Sequence, residues 1–354
     1  MARPHVPVPP SLLTVAERVE KRLDGLLRVE LERWSELSPD LAPPLESLRE
    51  LVMSGGKRLR PAFCYWGYRA AGGDEDDPAV IDAGAAFEML QAFALVHDDV
   101  MDGSSTRRGS RTAHLAYGDR HGEADWRGEG RRFGEGVAIL IGDLAHVYAD
   151  QLLPPGPQEL LAVWDELRIE LNAGQYLDLL GTARADTDHV SARRIARYKS
   201  GKYTIERPLH IGAALAGRLG ELQRSLSAYG DPLGEAFQLR DDALGAFGDE
   251  SLTGKPVGDD LREGKPTPLL ALATTRADPA QAEVLDEIGR RDLSAEDVAR
   301  IQAVLVETGA VEAVERSIDD LTTEAVTAIR EAPVPDDARA ALIDLAHFVA
   351  WREV

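Results

Sequence analysis

Apolar residues recur at three- and four-residue spacing along almost the whole chain. Near the start, Leu12, Leu13, Val15, Ala16, Val19, Leu23, Leu26 and Leu27 are separated by Glu, Lys and Arg, the pattern of an amphipathic helix with one buried stripe. The same reading predicts helices near 11–35, 44–71, 78–102, 134–152, 157–181, 191–217, 220–248, 266–275, 280–289, 294–308, 309–331 and 335–351. Alternating runs of Val, Ile and Thr are nearly absent, so the pattern predicts an all-α protein. Segments 82–97 and 207–217 are apolar around most of their circumference, which places them in the middle of a large helical bundle. Polar, glycine- or charge-rich stretches at 118–136, 183–190 and 248–268 read as loops. No fixed-period repeat is visible and no linker divides the chain. The expected organisation is a flexible Pro-rich tail over residues 1–10 and a single helical domain over 11–354.

Charge narrows the partners. Of 354 residues, 61 are Asp or Glu and 40 are Lys or Arg, a formal net charge of −21 with 44% hydrophobic residues. That content can build a sizeable core. The acidic balance argues against a nucleic-acid or anionic-membrane binder, whose surfaces are net positive. One cysteine, Cys64, leaves no intramolecular disulfide and no multi-cysteine zinc site. The proline-rich N-terminus has no apolar core of a signal peptide, and no stretch of 18 uncharged apolar residues occurs, so the expectation is a cytoplasmic protein with no stable membrane insertion.

In so acidic a chain, tight basic clusters next to aspartates carry information. The most apolar helix ends in His97-Asp98-Asp99-Val100-Met101-Asp102. Asp98 and Asp102 are four apart, so both carboxylates leave one helical face, beside the negative end of the helix dipole. A cation relieves that repulsion, and oxygen-only donors suit a hard ion such as Mg²⁺ that shares itself with phosphate oxygens. The plainer reading is a solvated acidic helix end. Arg107-Arg108-Gly109 follows, and Gly55-Gly56-Lys57-Arg58-Leu59-Arg60-Pro61 precedes. Arginine forks match diphosphate oxygens, although surface arginines also pair with carboxylates. A second acidic pair, Asp241-Asp242 in Phe237-Gln238-Leu239-Arg240-Asp241-Asp242, closes another apolar helix and leads to Lys255, Asp259, Asp260 and Lys265. Two acidic pairs flanked by basic residues describe a metal-bridged diphosphate site.

These motifs, with Gln175 and Asp178 in Gly174-Gln175-Tyr176-Leu177-Asp178 and with Lys199-Ser200, resemble in order those of the trans-isoprenyl (polyprenyl) diphosphate synthases over roughly residues 50–270. The resemblance implies an all-helical bundle of the isoprenoid synthase type with a central cavity. It implies a prenyltransferase that condenses isopentenyl diphosphate with allylic diphosphates (dimethylallyl, geranyl or farnesyl) by ionisation, condensation and elimination, with about three Mg²⁺ per active site and a homodimer. By the same resemblance Asp98, Asp102 and Asp241 are metal ligands, with Asp99 and Asp242 behind them. Arg107 contacts the allylic diphosphate, and Lys57, Arg60, Gln91 and Arg108 hold isopentenyl diphosphate. Gln175, Gln238 and Ser200 line the site. Lys199 fits the family's lysine, with Lys202 as the alternative. Lys255 fits the lysine that closes over the diphosphate, and Lys265 lies in the same substrate-binding stretch.

One departure stands out: the fifth position of the second motif, often Asp, is Gly245, for which Asp249 is a candidate substitute. Phe93 and Ala94 stand five and four residues before Asp98, about 6–7.5 Å along the axis, where a bulky Phe93 would floor the cavity of the growing tail. That pattern resembles a geranylgeranyl (C20) synthase, with farnesyl (C15) and longer products as alternatives. Asp143-x-x-His146 and Asp344-x-x-His347 superficially resemble di-iron bundles, which want Glu-x-x-His. A terpene cyclase would replace the second aspartate pair, and a non-catalytic subunit would lose metal ligands.

Overall fold

The computed structural model describes residues 6–184, 188–248, 257–290 and 292–352. Helices dominate: α1 (Pro10–Leu37), α2 (Ala42–Met53), α3 (Leu59–Ala70), α4 (Pro78–Asp102), α5 (Ala113–Glu123), α6 (Gly130–Leu152), α7 (Gln158–Arg184), α8 (His189–Ala196), α9 (Arg207–Leu215) and α10 (Leu219–Phe247). They continue through α11 (Asp259–Glu263), α12 (Pro268–Arg276), α13 (Pro279–Leu285), α14 (Ala295–Glu307), α15 (Ala310–Glu331) and α16 (Asp336–Trp351). Among the described residues the β-structure is one two-residue pair, β1 (Thr106–Arg107) with β2 (Ser110–Arg111), antiparallel. The all-α expectation holds.

The chain gathers into two compact units, one of Pro10–Tyr65 and Asp74–Pro155, the other chiefly of Trp66–Gly73 and Gly156–Val354. In the first, α4 packs most extensively on α6, and α5 also packs on α6. Asp77 caps α4, its side chain accepting from Ala79 N at 2.9 Å, and Pro78 starts the first turn. Gly103, at φ +64°, ends it in the left-handed conformation that glycine adopts at least cost. Between these caps Val80 to Leu90 contribute a nearly continuous buried run. By length and hydropathy α4 could cross a membrane, but 67% of its most apolar stretch is buried inside the protein, as in a core helix. In the second unit, α10 packs on α15, α16 and the segment before α9, and carries a buried Pro232 in its interior.

Several local expectations need correction. The helix expected over 44–71 is two, because Gly55, Gly56 and Arg58 all take positive φ and break the chain before α3. The loop expected at 118–136 is mostly helix: α5 runs to Glu123 and α6 begins at Gly130. His114, Tyr117 and His121 are the buried side of α5, an apolar-aromatic face that the surrounding charges masked. The start of the 183–190 loop is helical to Arg184. Segment 191–217 is α8, a π-helical stretch at Arg197–Glu206, and α9. The N-terminal tail ends at Pro9, after which α1 begins.

His210 of α9 is 1% exposed and its imidazole is pushed down to about 4, first by burial and then by the Arg207 charge. Its Nε2 lies 3.1 Å from Ser227 Oγ, whose hydroxyl donates to Glu206 Oε1 at 2.7 Å, so the imidazole supplies the proton. In the unfolded chain this side chain binds a proton near pH 6.5, and in the folded chain only near pH 4. Its contribution is therefore complete above about 6.5 and is lost as pH falls toward 4, on the order of 3 kcal/mol. Denaturant unfolding of His210→Gln should show a shallower fall in stability between pH 6.5 and 4 than the parent; equal slopes would contradict this.

Candidate active site

Asp98, Asp99 and Asp102 occupy the last turns of α4. Asp99 is buried and receives Arg107 Nε at 2.9 Å and Nη2 at 2.5 Å on its Oδ1. The same Nη2 is 3.6 Å from Asp98 Oδ2. The antiparallel pair of β1 and β2, directly after Gly103, folds this arginine back over the helix end. Asp99 thus anchors Arg107, and Asp98 and Asp102, at i, i+4 spacing, share one face of the helix end.

Basic residues gather in the same unit. Arg108 takes φ +51° and donates through Nη1 to Leu51 O at 2.8 Å. Its guanidinium is pushed down chiefly by burial, offset by Glu88 and reinforced by the charges of Arg58, Arg107 and Arg60. Mutual influence among four arginines marks a strongly positive locus, which an anion would relieve. Arg58 differs from its motif neighbours. It is 3% exposed, pairs with buried Glu88 and with Glu20 Oε1 at 3.1 Å, and donates to Val52 O at 2.6 Å. It ties α1, α2 and α4 together, while Lys57 and Arg60 remain partly exposed on either side.

The second unit separates the two candidate lysines. Lys199 Nζ donates to Asp178 Oδ2 at 2.5 Å, joining two motifs 21 residues apart. Lys202 Nζ instead donates to Glu170 Oε1 at 2.7 Å and sits 3.7 Å from Glu206 Oε2, while Arg207 holds both Glu170 oxygens at 2.7 Å. Lys202 is therefore absorbed in a buried ionic network. The π-helical stretch carrying Lys199 and Ser200 approaches its neighbours closely: a Cβ on Gly174 would lie 2.5 Å from Lys199 N, and one on Gly234 2.7 Å from Gly201 O. Only glycine lets α7 and α10 come so near. π-Helical turns concentrate at functional sites. Gln175 lies on α7, one turn before Asp178.

On α10, Asp241 is half exposed and receives Arg352 Nη2 at 2.7 Å. Arg352 is buried, stacks on Phe237 at 4.4 Å from the ring centroid, and donates to Val349 O at 2.5 Å. Asp242 is buried and receives Gln238 Nε2 at 2.6 Å. Its carboxyl is pushed well up, by burial first, against the Gln238 hydrogen bond and with the help of Asp260 and Asp241. Gln238 Oε1 is buried with no hydrogen-bond partner among the described residues. Lys265 Nζ is 2.7 Å from Glu263 Oε2 and 3.6 Å from Asp260 Oδ1. Lys255 and Asp249 lie outside the described residues.

Phe93 is partly buried between two imidazoles, its ring centroid 4.8 Å from His97 and 4.9 Å from His146. His97 Nε2 lies 3.0 Å from Ile139 O and donates to it, tying α4 to α6. Gln91 and Ala94 flank Phe93 on α4, both partly exposed.

Sequence reasoning passed over the pairing of Arg58 with Glu88, and also Arg352. Arg58 could have been noticed as the one residue of its motif that a neighbouring buried acid would claim. Arg352 carries no local signal, being 111 residues from Asp241.

Among the described residues no three His, Cys, Asp or Glu side chains form a closed metal cage. Mg²⁺ retains waters and substrate oxygens and needs only one or two carboxylates from a protein. The donors at both helix ends are carboxylates and an amide oxygen, the hard ligands such an ion takes.

Comparison with known proteins places this arrangement. Residues 44–306 match the polyprenyl synthetase family. A geranylfarnesyl diphosphate synthase of Aeropyrum pernix is 33% identical over 304 residues, covering 83% of this chain and 89% of that protein. A geranylgeranyl diphosphate synthase of Mycobacterium tuberculosis is 32% identical over 306 residues, covering 85% of this chain and 81% of that protein. The crystal structure of a geranylgeranyl pyrophosphate synthase from Corynebacterium glutamicum, complexed with isoprenyl diphosphate and magnesium, superimposes with a TM-score of 0.91 at 39% identity. It covers 96% of this chain and 99% of that one. With these matches, and with the aspartate, arginine and lysine motifs in place, the chain belongs to the polyprenyl synthetase family and is a prenyltransferase.

Proposed function

We propose that this prenyltransferase condenses isopentenyl diphosphate with allylic diphosphates, in the presence of Mg²⁺, to give mainly the C20 product geranylgeranyl diphosphate. Asp98, Asp102 and Asp241 are the proposed metal ligands. Arg107 and Lys199, with Lys255 and Lys265, hold the allylic diphosphate, while Lys57, Arg60, Gln91 and Arg108 hold isopentenyl diphosphate. Bound Mg²⁺ supplies positive charge that lowers the cost of charge building on the departing diphosphate. Arg107, held on Asp99, and Lys199, held on Asp178, are pre-positioned donors, so little reorganisation is needed as that charge develops. The allylic C1–O bond breaks, the double bond of isopentenyl diphosphate attacks C1, and a proton then leaves to the released diphosphate. No side-chain nucleophile is required. The family match runs through both compact units, which supports one catalytic domain rather than two.

The observation that carries the chain length is Phe93. Wedged between His97 and His146, it cannot swing away cheaply, and it lies about 7.5 Å along α4 from Asp98. Phe93→Ala should shift the main product from C20 to C25 or longer, read by chromatography of the hydrolysed alcohols; an unchanged distribution would remove Phe93 as the floor. The wild-type product itself tests the C20 assignment, and a main C15 or C25 alcohol would refute it while leaving the reaction intact. Sequence similarity to a geranylfarnesyl synthase makes C25 the outcome to watch. We extend the proposal to a cytoplasmic homodimer. Exposed Leu140 and Val147, seven residues apart on α6, are an apolar surface that a second copy would cover.

A further inference from the structure

The segment that carries Lys199 has an unusual backbone. Arg197–Glu206 is π-helical over 10 residues, whereas π geometry is ordinarily confined to single turns. Its last backbone bond runs from Arg207 N to Lys202 O, one π turn back. The side chains of the same two residues meet on one buried carboxylate of α7. Glu170 Oε1 accepts from Lys202 Nζ and Arg207 Nη2, and Oε2 accepts from Arg207 Nε, each at 2.7 Å. Residues five apart on an α-helix project about 140° apart and so diverge. In the wider π turn they lie nearly one above the other. The shared carboxylate is therefore a link that the π register makes and the α register breaks.

Packing alone does not choose that register. α7 and α10 meet the segment through glycines: a Cβ on Gly174 would lie 2.5 Å from Lys199 N, and one on Gly230 2.9 Å from Glu206 Cα. Such backbone contacts set a distance but offer no side-chain ridges to resist rotation. Asp178 grips Lys199 at the end of its flexible stem, and Ser227 of α10 gives Glu206 a single hydrogen bond at 2.7 Å. The three charge-assisted bonds to Glu170 are the stronger hold. Rewinding the eight residues from Lys199 to Arg207 to the α twist would swing Lys199 by roughly a third of a turn relative to Arg207.

We propose that Glu170 is a positioning residue: by joining Lys202 to Arg207 it holds the π register, and through it the place of Lys199 beside Asp178. This deepens the proposed function and rests on the reading of Lys199 as a lysine that holds the allylic diphosphate.

The experiment is steady-state kinetics of the full chain beside a thermal melt. Glu170→Gln keeps the shape, removes the charge and leaves Lys202 and Arg207 facing Glu206. KM for the allylic diphosphate should rise about tenfold, the effect of one displaced charge-assisted hydrogen bond, while KM for isopentenyl diphosphate stays within about twofold of the parent. The melting temperature should fall. Glu170→Gln combined with Lys202→Met restores the balance of charge, Arg207 against Glu206, but not the link between residues 202 and 207. Its melting temperature should recover and its allylic KM should not, a separation that a purely structural role would not give. Parent-like allylic KM in Glu170→Gln would overturn the proposal, as would recovery of KM together with melting temperature in the double variant. Lys199→Ala, measured alongside, isolates the underlying reading. A parent-like allylic KM in that variant removes Lys199 from the diphosphate, and this proposal with it; a raised one beside a parent-like Glu170→Gln refutes the proposal and leaves the reading of Lys199 intact.

Discussion

Asp102→Asn should lower kcat by about 10³-fold, equivalent to about 4 kcal/mol of transition-state stabilisation, while leaving the fold intact. The substitution keeps shape and removes one of the two carboxylates that α4 presents at i, i+4 spacing. Both lie where the helix dipole is negative, so without a cation they repel each other, and the arrangement makes sense chiefly when one binds. The two readouts should therefore separate. Activity collapses, but the melting temperature of the metal-free protein stays within a degree or two of the parent, or rises slightly. Asp98→Asn should behave alike in activity, but its 3.6 Å approach to Arg107 Nη2 makes some loss of stability expected as well. Steady-state kinetics beside a thermal melt checks both. Activity retained within tenfold would remove Asp102 from the metal-binding role.

Glu88→Ala should produce the largest loss of stability, about 3–5 kcal/mol, because it leaves the Arg58 guanidinium buried without its main counter-charge. Arg58 is 3% and Glu88 6% exposed. Burial alone would push the Arg58 guanidinium down; Glu88, and then Glu20, more than reverse this and hold it above its ordinary value. Glu20 is substantially exposed and Val52 O is neutral, so neither replaces Glu88. For a chain of this size the loss corresponds to a fall in melting temperature of about 5 °C. Removing both charges, as in Arg58→Met with Glu88→Leu, should cost far less, since two apolar side chains of similar volume avoid the desolvation penalty altogether. A double variant as unstable as Glu88→Ala would show that the pair acts through shape rather than charge.

The pair also shows where sequence reasoning stops. Within GGKRLRP the three basic residues look alike, yet Arg58 points into the protein. The positive φ at Gly55, Gly56 and Arg58 turns the chain between α2 and α3 and sends its side chain toward α4. That turn is also what split the expected 44–71 helix. Long, strongly periodic helices such as α1, α4 and α10 were legible because burial on one face, or all round, imposes its period on the residues themselves. Asp98, Asp102, Arg107 and Lys199 sit in short motifs whose spacing suggests the proposed chemistry, so the sequence alone singles them out as candidates. The motif already favours Lys199 over Lys202; that Glu170, Glu206 and Arg207 enclose Lys202 is a three-dimensional fact the sequence does not report. α5 was hidden because its buried residues are His114, Tyr117 and His121, amphipathic side chains scattered among glycines and charges. Arg352 meets Asp241 across 111 residues of sequence, and no local pattern reports such a contact.

The most direct test of the whole account is to incubate the purified protein with Mg²⁺, isopentenyl diphosphate and, in turn, dimethylallyl, geranyl and farnesyl diphosphates, measuring diphosphate release and lengthened product together. The account predicts release in step with elongation, one diphosphate per five carbons added, abolished by chelation of the metal and restored by adding it back. Folded protein that forms no elongated product with any of the three primers, or that forms it undiminished in excess chelator, would contradict it.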